Sequence, residues 1–585
     1  MAKPSEAMHV ARVVGRYTTK SGEAREYVSH LLRRTYRDGG KVRHETLANL
    51  SPLPVAAIEA VRATLAGATL VAAGQGLTVT RSLPHGHVAV VHAQAVALGL
   101  PALLGPPGRH RDLALGLVIA RVVKPGSKLA TTAWWADTTL GVDLGVGGAS
   151  TDEVYAAMDW LLGRQDAIEA ALAARHLSPD ANPARIALFD LTSAWMTGRC
   201  CPLAALGYSR DGKKGLPQIE YGLLTDPAGR PVAVRVFAGN TADPTAFIQA
   251  VKVVSDKFKL TDLVMVGDRG MITAARIDAL RADTDLGWLT ALRAPAVAKL
   301  AAEQGPLQLT LFDQHDLAEI THPDYPGERL IACRNPLLAA QRTRNRGELL
   351  DATEAALAPI LSAVTAGRLA GADRIGLRVG RVINKYKMAK HLHLAITDTT
   401  LTVTRRQAQI DAEAALDGIY VLRTNVPAER LDAGAVVTAY KDLSHVERDF
   451  RTIKVDDLDL RPIHHRLEDR VRAHVLIAML AAYLVWHLRR ALAPLTFTDQ
   501  QPPERTNPVA PATRSEQATR KASRQHDDQN RPLRSFRTLL DHLATLTRNR
   551  IRVGEDTEFN QLTTPTDTQR RAFELLHTPI PLTLT

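Results

Sequence analysis

Three apolar runs follow one another in close order: RIALFDLTSAW (185–195), LPQIEYGLLTD (216–226) and PVAVRVFAG (231–239). Each is short, rich in β-branched and aromatic residues and bounded by turn formers, which predicts strands. Asp226-Pro227-Ala228-Gly229 joins the second run to the third and reads as a hairpin turn. A helix at about 243–257, a strand DLVMVGD (262–268), a helix at about 272–283 and a strand GWLTALR (287–293) complete the unit. Antiparallel strands followed by α/β alternation set the class as α/β, with the order of strands in space left open.

On the N-terminal side, residues 1–75 read as a small β-rich unit with one helix after Ser51-Pro52, and 86–180 read as helical, with Ser127 and Thr151 as cap candidates. On the C-terminal side, 294–435 interrupts the core with short strand candidates (ERLIACR, HLHLAITD, GIYVLRTN) and one long polar helix, and is expected to be β-rich. Residues 436–492 return to helix. The polar, basic stretch 498–532 is expected to be a disordered linker, and 533–585 a C-terminal helical segment.

With 585 residues the chain is multi-domain. Lys and Arg number 73 against 61 Asp and Glu, a net charge of +12. That sign suits a polyanionic partner, because each phosphate neutralised releases counterions. The three cysteines, Cys200, Cys201 and Cys333, form no CxxC, which excludes a disulfide framework and suits a reducing cytoplasm. The run AHVLIAMLAAYLVWHL (473–488) is short for a bilayer and reads as a buried helix, so no membrane partner is expected.

Two aspartates close apolar runs, Asp190 in ALFDLTSAW and Asp268 in LVMVGDRG. A carboxylate at the end of a buried strand is both fixed and solvent-reachable, as a metal ligand must be; taken alone, either also reads as a cap on the next turn. In YKDLSHVERDFRTIK (440–454), Glu447, Phe450, Arg451 and Lys454 fall at i, i+3, i+4 and i+7 of a helix and share a face.

The ordered set of a first-strand Asp, GYSRDGKKGLPQIEYGLLTDPAGRPVAVRVFAGNTAD, VGDRG, a long insert, DGIYVLRTN and YKDLSHVERDFRTIK resembles the DDE transposases of bacterial insertion sequences. It is similar to the group with a β-rich domain inserted before the catalytic Glu, which carries a Tyr-x2-Arg-x3-Glu-x6-Lys signature. Tyr440, Glu447 and Lys454 match that signature, while its Arg position holds Leu443. The resemblance implies an RNase H-like catalytic core with a β-rich insertion, and the helical region 86–180 is read as the DNA-binding candidate on its N-terminal side, against a bundle that merely packs beside the core. The resemblance further implies that Asp190, Asp268 and Glu447 bind two Mg²⁺ or Mn²⁺ ions, that Tyr440 and Lys454 position phosphate, and that an aromatic such as Trp288 stabilises a flipped base at a hairpin intermediate; Arg451, on the face of Glu447, is added here as a further phosphate-positioning candidate.

The implied partners are double-stranded DNA, as terminal inverted repeats and target, and a second copy of the chain in a synaptic dimer. The implied place of action is the bacterial cytoplasm, at the nucleoid. Lys124 and Lys128, around a turn between two helices, are further candidates for phosphate contact. Two other readings share the same acids: an RNase H-like nuclease without strand transfer, and a DNA-binding protein with an inactive core.

Overall fold

The computed structural model describes residues 7–19, 22–38, 41–68, 77–198, 200–273, 277, 286–302, 305–312, 315–501, 505, 507–554 and 557–584. The helix expected at about 272–283 falls largely outside them. Two compact units are present, residues 1–83 with 548–563, and residues 84–547 with 564–585.

In the first unit, β1 (Ala7–Thr18), β2 (Ala24–Asp38) and β3 (Lys41–Asn49) form an antiparallel meander followed by α1 (Val55–Leu65). Cross-strand ion pairs sit on it, Arg16 to Glu26 and Arg34 to Glu45, each at 2.6 Å. A second sheet pairs β4 (Leu77–Pro84) with the hairpin Thr547–Val553 and Thr557–Leu562. That hairpin corrects the wholly helical expectation for 533–585. Its alternation of Arg and apolar residues, RIRV, suits a strand with one covered face.

The second unit is built on an eight-stranded mixed sheet. Its middle comes from β5 (Ile186–Trp195), β6 (Gln218–Thr225), β7 (Pro231–Ala238), β8 (Val264–Val266) and β9 (Gly287–Ala291). In space these run β7-β6-β5-β8-β9; β5, β6 and β7 are antiparallel, while β8 and β9 lie parallel to β5. Three more strands, β10 (Leu317–Ile320), β11 (Arg329–Arg334) and, from later in the chain, Ile419–Thr424, extend the sheet antiparallel beyond β9.

Helices α2 (Gly86–Ala97), α3 (Leu100–Leu104), α4 (Arg109–Val123), α5 (Lys128–Ala136), α6 (Thr139–Asp143), α7 (Thr151–Leu162) and α8 (Gln165–His176) precede the sheet, and α9 (Asp243–Lys252) lies within it in sequence. The interval 294–435 is dominated by helix, which corrects its β-rich expectation. It holds α10 (Ala294–Leu300), a 30-residue α11 (Pro336–Thr365), α12 (Ala372–Tyr386) and α13 (Gln407–Ala414). Its own sheet is the small hairpin of β12 (Leu392–Ile396) and β13 (Leu401–Arg405). α11 is rich in Ala, Leu, Arg and Glu, strong helix formers, and Asn335 caps it. α12 buries Ile375, Val379 and Ile383, four residues apart, against it.

After the strand Ile419–Thr424 (β14) come α14 (Ala433–Lys441), α15 (Leu443–Arg451) and α16 (Glu468–Ala491). α16 is long and apolar enough to cross a membrane, and 83% of its apolar window is buried inside the protein. It packs against α4, α7 and β7 as the central core helix. The described part of 498–532 is ordered rather than disordered. It forms α17 (Glu516–Arg524), capped by Ser515. The Lys441 ammonium donates to the carbonyls of Pro508, Val509 and Ala510 at 2.5, 2.6 and 3.0 Å, so backbone satisfaction, together with the burial of Val509, holds the segment. α18 (Phe536–Ala544) and α19 (Asp567–Leu575) are the last two helices among the described residues.

Candidate active site

Asp190 does not close its strand as expected. β5 continues to Trp195, paired with β6 from Leu188 onward. Its other neighbour, β8, stops at Val266. The parallel register Leu188↔Val266, carried on two residues, sets Asp190 level with Asp268. The pair therefore stands where one flank of β5 loses its partner strand, a rigid position with an open side. The Asp190 carboxylate accepts from the Leu191 N–H at 2.7 Å, and Asp268 from the Arg269 N–H at 2.7 Å.

The third acid comes from α15, which crosses β5 and β6. Val446 and Phe450 are buried beneath it, Phe450 edge-on to Tyr221 with centroids 5.5 Å apart, and this leaves Glu447 exposed. The β6–β7 turn seats the helix. Gly229 has φ +82°, and a Cβ there would lie 2.8 Å from His445 Cβ, so only glycine lets the turn approach. His445 Nδ1 meets the Pro227 carbonyl at 2.8 Å.

Burial, reinforced by the charges of Asp268 and Glu447, pushes the Asp190 carboxyl up to about 7, against the Leu191 N–H and Arg210. Three hard-oxygen donors that repel one another suit a divalent cation, which reverses that repulsion. They are not drawn into a closed cage: among the described residues no group of three His, Cys, Asp or Glu is gathered tightly enough to hold an ion.

Lys454, expected on the same helix face as Glu447, lies deeper than that exposed residue. After Arg451 the helix passes into a π turn, Thr452–Asp456, and Lys454 is buried. Its ammonium donates to Thr192 Oγ1 at 2.5 Å and Asp211 Oδ1 at 2.8 Å, and Thr192 is two residues from Asp190 on the same strand face. Tyr440 donates its hydroxyl to Asp268 Oδ1 at 3.4 Å, and burial raises its pKa, so it keeps that proton. Arg451 is exposed on α15, and Lys124 is exposed at the end of α4.

Two candidates are displaced. Lys128 is buried, with its Nζ 3.3 Å from His474 Nδ1, and burial drives its pKa well down; the group is out of reach of a phosphate in solvent. Trp288 is 0% exposed in β9, with Arg423 stacked on its ring at 5.3 Å. An indole inside a central strand has no face free for an extruded base.

The structure adds Arg210 and Asp211, from the Ser-Arg-Asp-Gly turn 209–212. Arg210 binds Asp243 Oδ1 at 2.6 Å and Glu220 Oε1 at 3.2 Å, and its backbone N–H is fixed by Ser193 Oγ at 3.0 Å. Asp211 takes both Lys454 and Arg461. The sequence held the turn within the family-like segment but gave no sign that it folds back onto β5.

A mixed sheet with level aspartates on parallel neighbours and a helix-borne glutamate defines a candidate site for phosphoryl chemistry. Residues 185–484, just over half the chain, match the family model for the transposase DDE domain, and the protein belongs to that family. A second match, residues 16–74 to the N-terminal domain of IS1634 family transposases, makes it an insertion-sequence DDE transposase. The DDE domain implies an RNase H-like core, DNA as partner and dependence on a divalent metal. No curated protein matches. Among solved structures, a piggyBac transposase synaptic complex with hairpin DNA is similar at 9% identity and a TM-score of 0.32, over 70% of this chain and 73% of that one.

Proposed function

We propose that this transposase cuts the ends of its own element and joins their 3′-hydroxyls to target DNA, with Asp190, Asp268 and Glu447 holding two divalent ions, Mg²⁺ or Mn²⁺. The observation that carries the reading is the level register of Asp190 and Asp268 at the opening of the sheet, with Glu447 exposed on the helix laid across it. Ions bound there would supply Lewis acidity and activate a nucleophile at neutral pH.

The chain's own groups divide the remaining work. Lys454, released from Asp211, places an ammonium beside Asp190 for the scissile phosphate. The Tyr440 hydroxyl orients Asp268. Arg451 and Lys124, both exposed, bind the backbone away from the cut. The helical region 86–180 contributes to DNA binding, and 294–435 acts as a helix-rich insertion in the RNase H-like core. Two copies pair the two ends in the cytoplasm, at the nucleoid.

The test is incubation of the full-length protein with labelled transposon-end DNA, target DNA and Mg²⁺. Joined products support the reading. Cut ends without joining favour a nuclease, and binding without cutting favours an inactive core.

A further inference from the structure

The DDE match ends at residue 484, so α17 lies outside every matched segment. This helix has two faces with different roles. Inward, Lys521 is buried and its ammonium donates to the carbonyls of Ala493, Thr496 and Thr498 at 2.7, 3.1 and 2.8 Å. Ser515 caps the first turn by accepting from the Ala518 N–H at 3.0 Å. These anchors fix the rotation of the helix.

Outward, Arg520 and Arg524 stand one turn apart, both exposed, and neither is ion-paired among the described residues. They border an open cavity of about 350 Å³ whose walls also hold Arg531, Arg571, Asp527 and Asp528. Asp527 is committed to Arg531 at 2.7 Å, and Arg571 rests on Glu574 at 3.1 Å. Two unpaired guanidinium groups therefore face one aspartate.

We infer that this face of α17 docks the sugar-phosphate backbone of double-stranded DNA, an inference that rests on the transposase reading. Guanidinium forks match phosphate oxygens. A helix already locked by Lys521 loses little freedom on binding. No Phe, Tyr or Trp lines the cavity. With one imidazole, His526, and no row of rings for successive bases to stack on, the surface favours a duplex over a single strand. The contact is to backbone and carries no sequence preference.

The experiment is fluorescence anisotropy of full-length protein on two labelled duplexes, the element's end and an unrelated sequence of equal length, across a salt series. R520A/R524A should flatten the slope of log K against log salt by about 1.8 on both duplexes, about 0.9 for each lost phosphate contact. R520K/R524K should keep the wild-type slope. Should the double variant melt early, R520A alone carries the test, with a change of about 0.9. An unchanged slope in a folded R520A/R524A protein that still binds DNA overturns the docking surface alone. Failure of the wild-type protein to bind either duplex overturns this inference and the transposition reading together.

Discussion

Asp190 on β5 stands level with Asp268 beyond the end of β8, because the two strands are parallel and Leu188 pairs with Val266. The carboxylates face the gap left where β8 ends, and α15 brings Glu447 across from the side. Each consequence below follows from that placement or from the groups around it.

Without a cation, burial and the neighbouring acids hold Asp190 at about 7. This folded value lies above the unfolded value, roughly 3.9. The folded state therefore favours the protonated form. That contribution is whole below the unfolded pKa and is lost as pH rises through about 7. Metal-free D190N should melt higher than wild type at about pH 8 and equal to it near pH 4, read by thermal denaturation in chelator. Equal melting at both values contradicts the placement of Asp190.

Lys454 shares the buried Asp211 carboxylate with Arg461. K454A should cost about 1.5–3 kcal/mol in urea unfolding, because hydrogen bonds from a charged donor are lost while Arg461 keeps Asp211 paired. D211A/K454A should recover part of that loss. A cost within the surface range of about 0.5 kcal/mol would show that Lys454 is free in solution.

Trp288 is a core residue of β9. W288A should destabilise the protein by about 3–5 kcal/mol, and W288F by clearly less. Strand transfer should fall in step with the folded fraction. A W288A protein of wild-type melting temperature that has lost only hairpin formation would return the indole to a DNA-contacting role.

Lys521 holds α17 through three carbonyls. K521M should open 498–532 to limited proteolysis while α16 stays protected. Wild-type resistance in K521M contradicts the anchoring.

The strands RIALFDLTSAW and LPQIEYGLLTD are legible in sequence because apolar runs between turn formers have few other folds. The register that aligns Asp190 with Asp268 is not legible, since it depends on where β8 stops. Lys454 reaches Thr192 beside Asp190 from a buried position that a plain 3.6-residue period does not give, because a π turn at 452–456 rotates the chain inward. The 498–532 stretch misled for another reason. Low hydrophobicity argues for disorder only if nothing else orders the backbone, and here Lys441 and Lys521 satisfy six carbonyls. Lys128 and Trp288 show the same limit: residue type suggested DNA contact, and burial decides against it.

The central claim is that Asp190, Asp268 and Glu447 act together as the metal-holding acids. The most direct measurement is single-turnover strand transfer with Mn²⁺, paired with Mn²⁺ binding by electron paramagnetic resonance, for D190A, D268A and E447A in the full-length protein. Each variant should stay folded, bind end DNA, lose bound Mn²⁺ and lose at least about 1000-fold in rate, about 4 kcal/mol of transition-state stabilisation. Wild-type rate and Mn²⁺ occupancy in any one of the three would contradict the account.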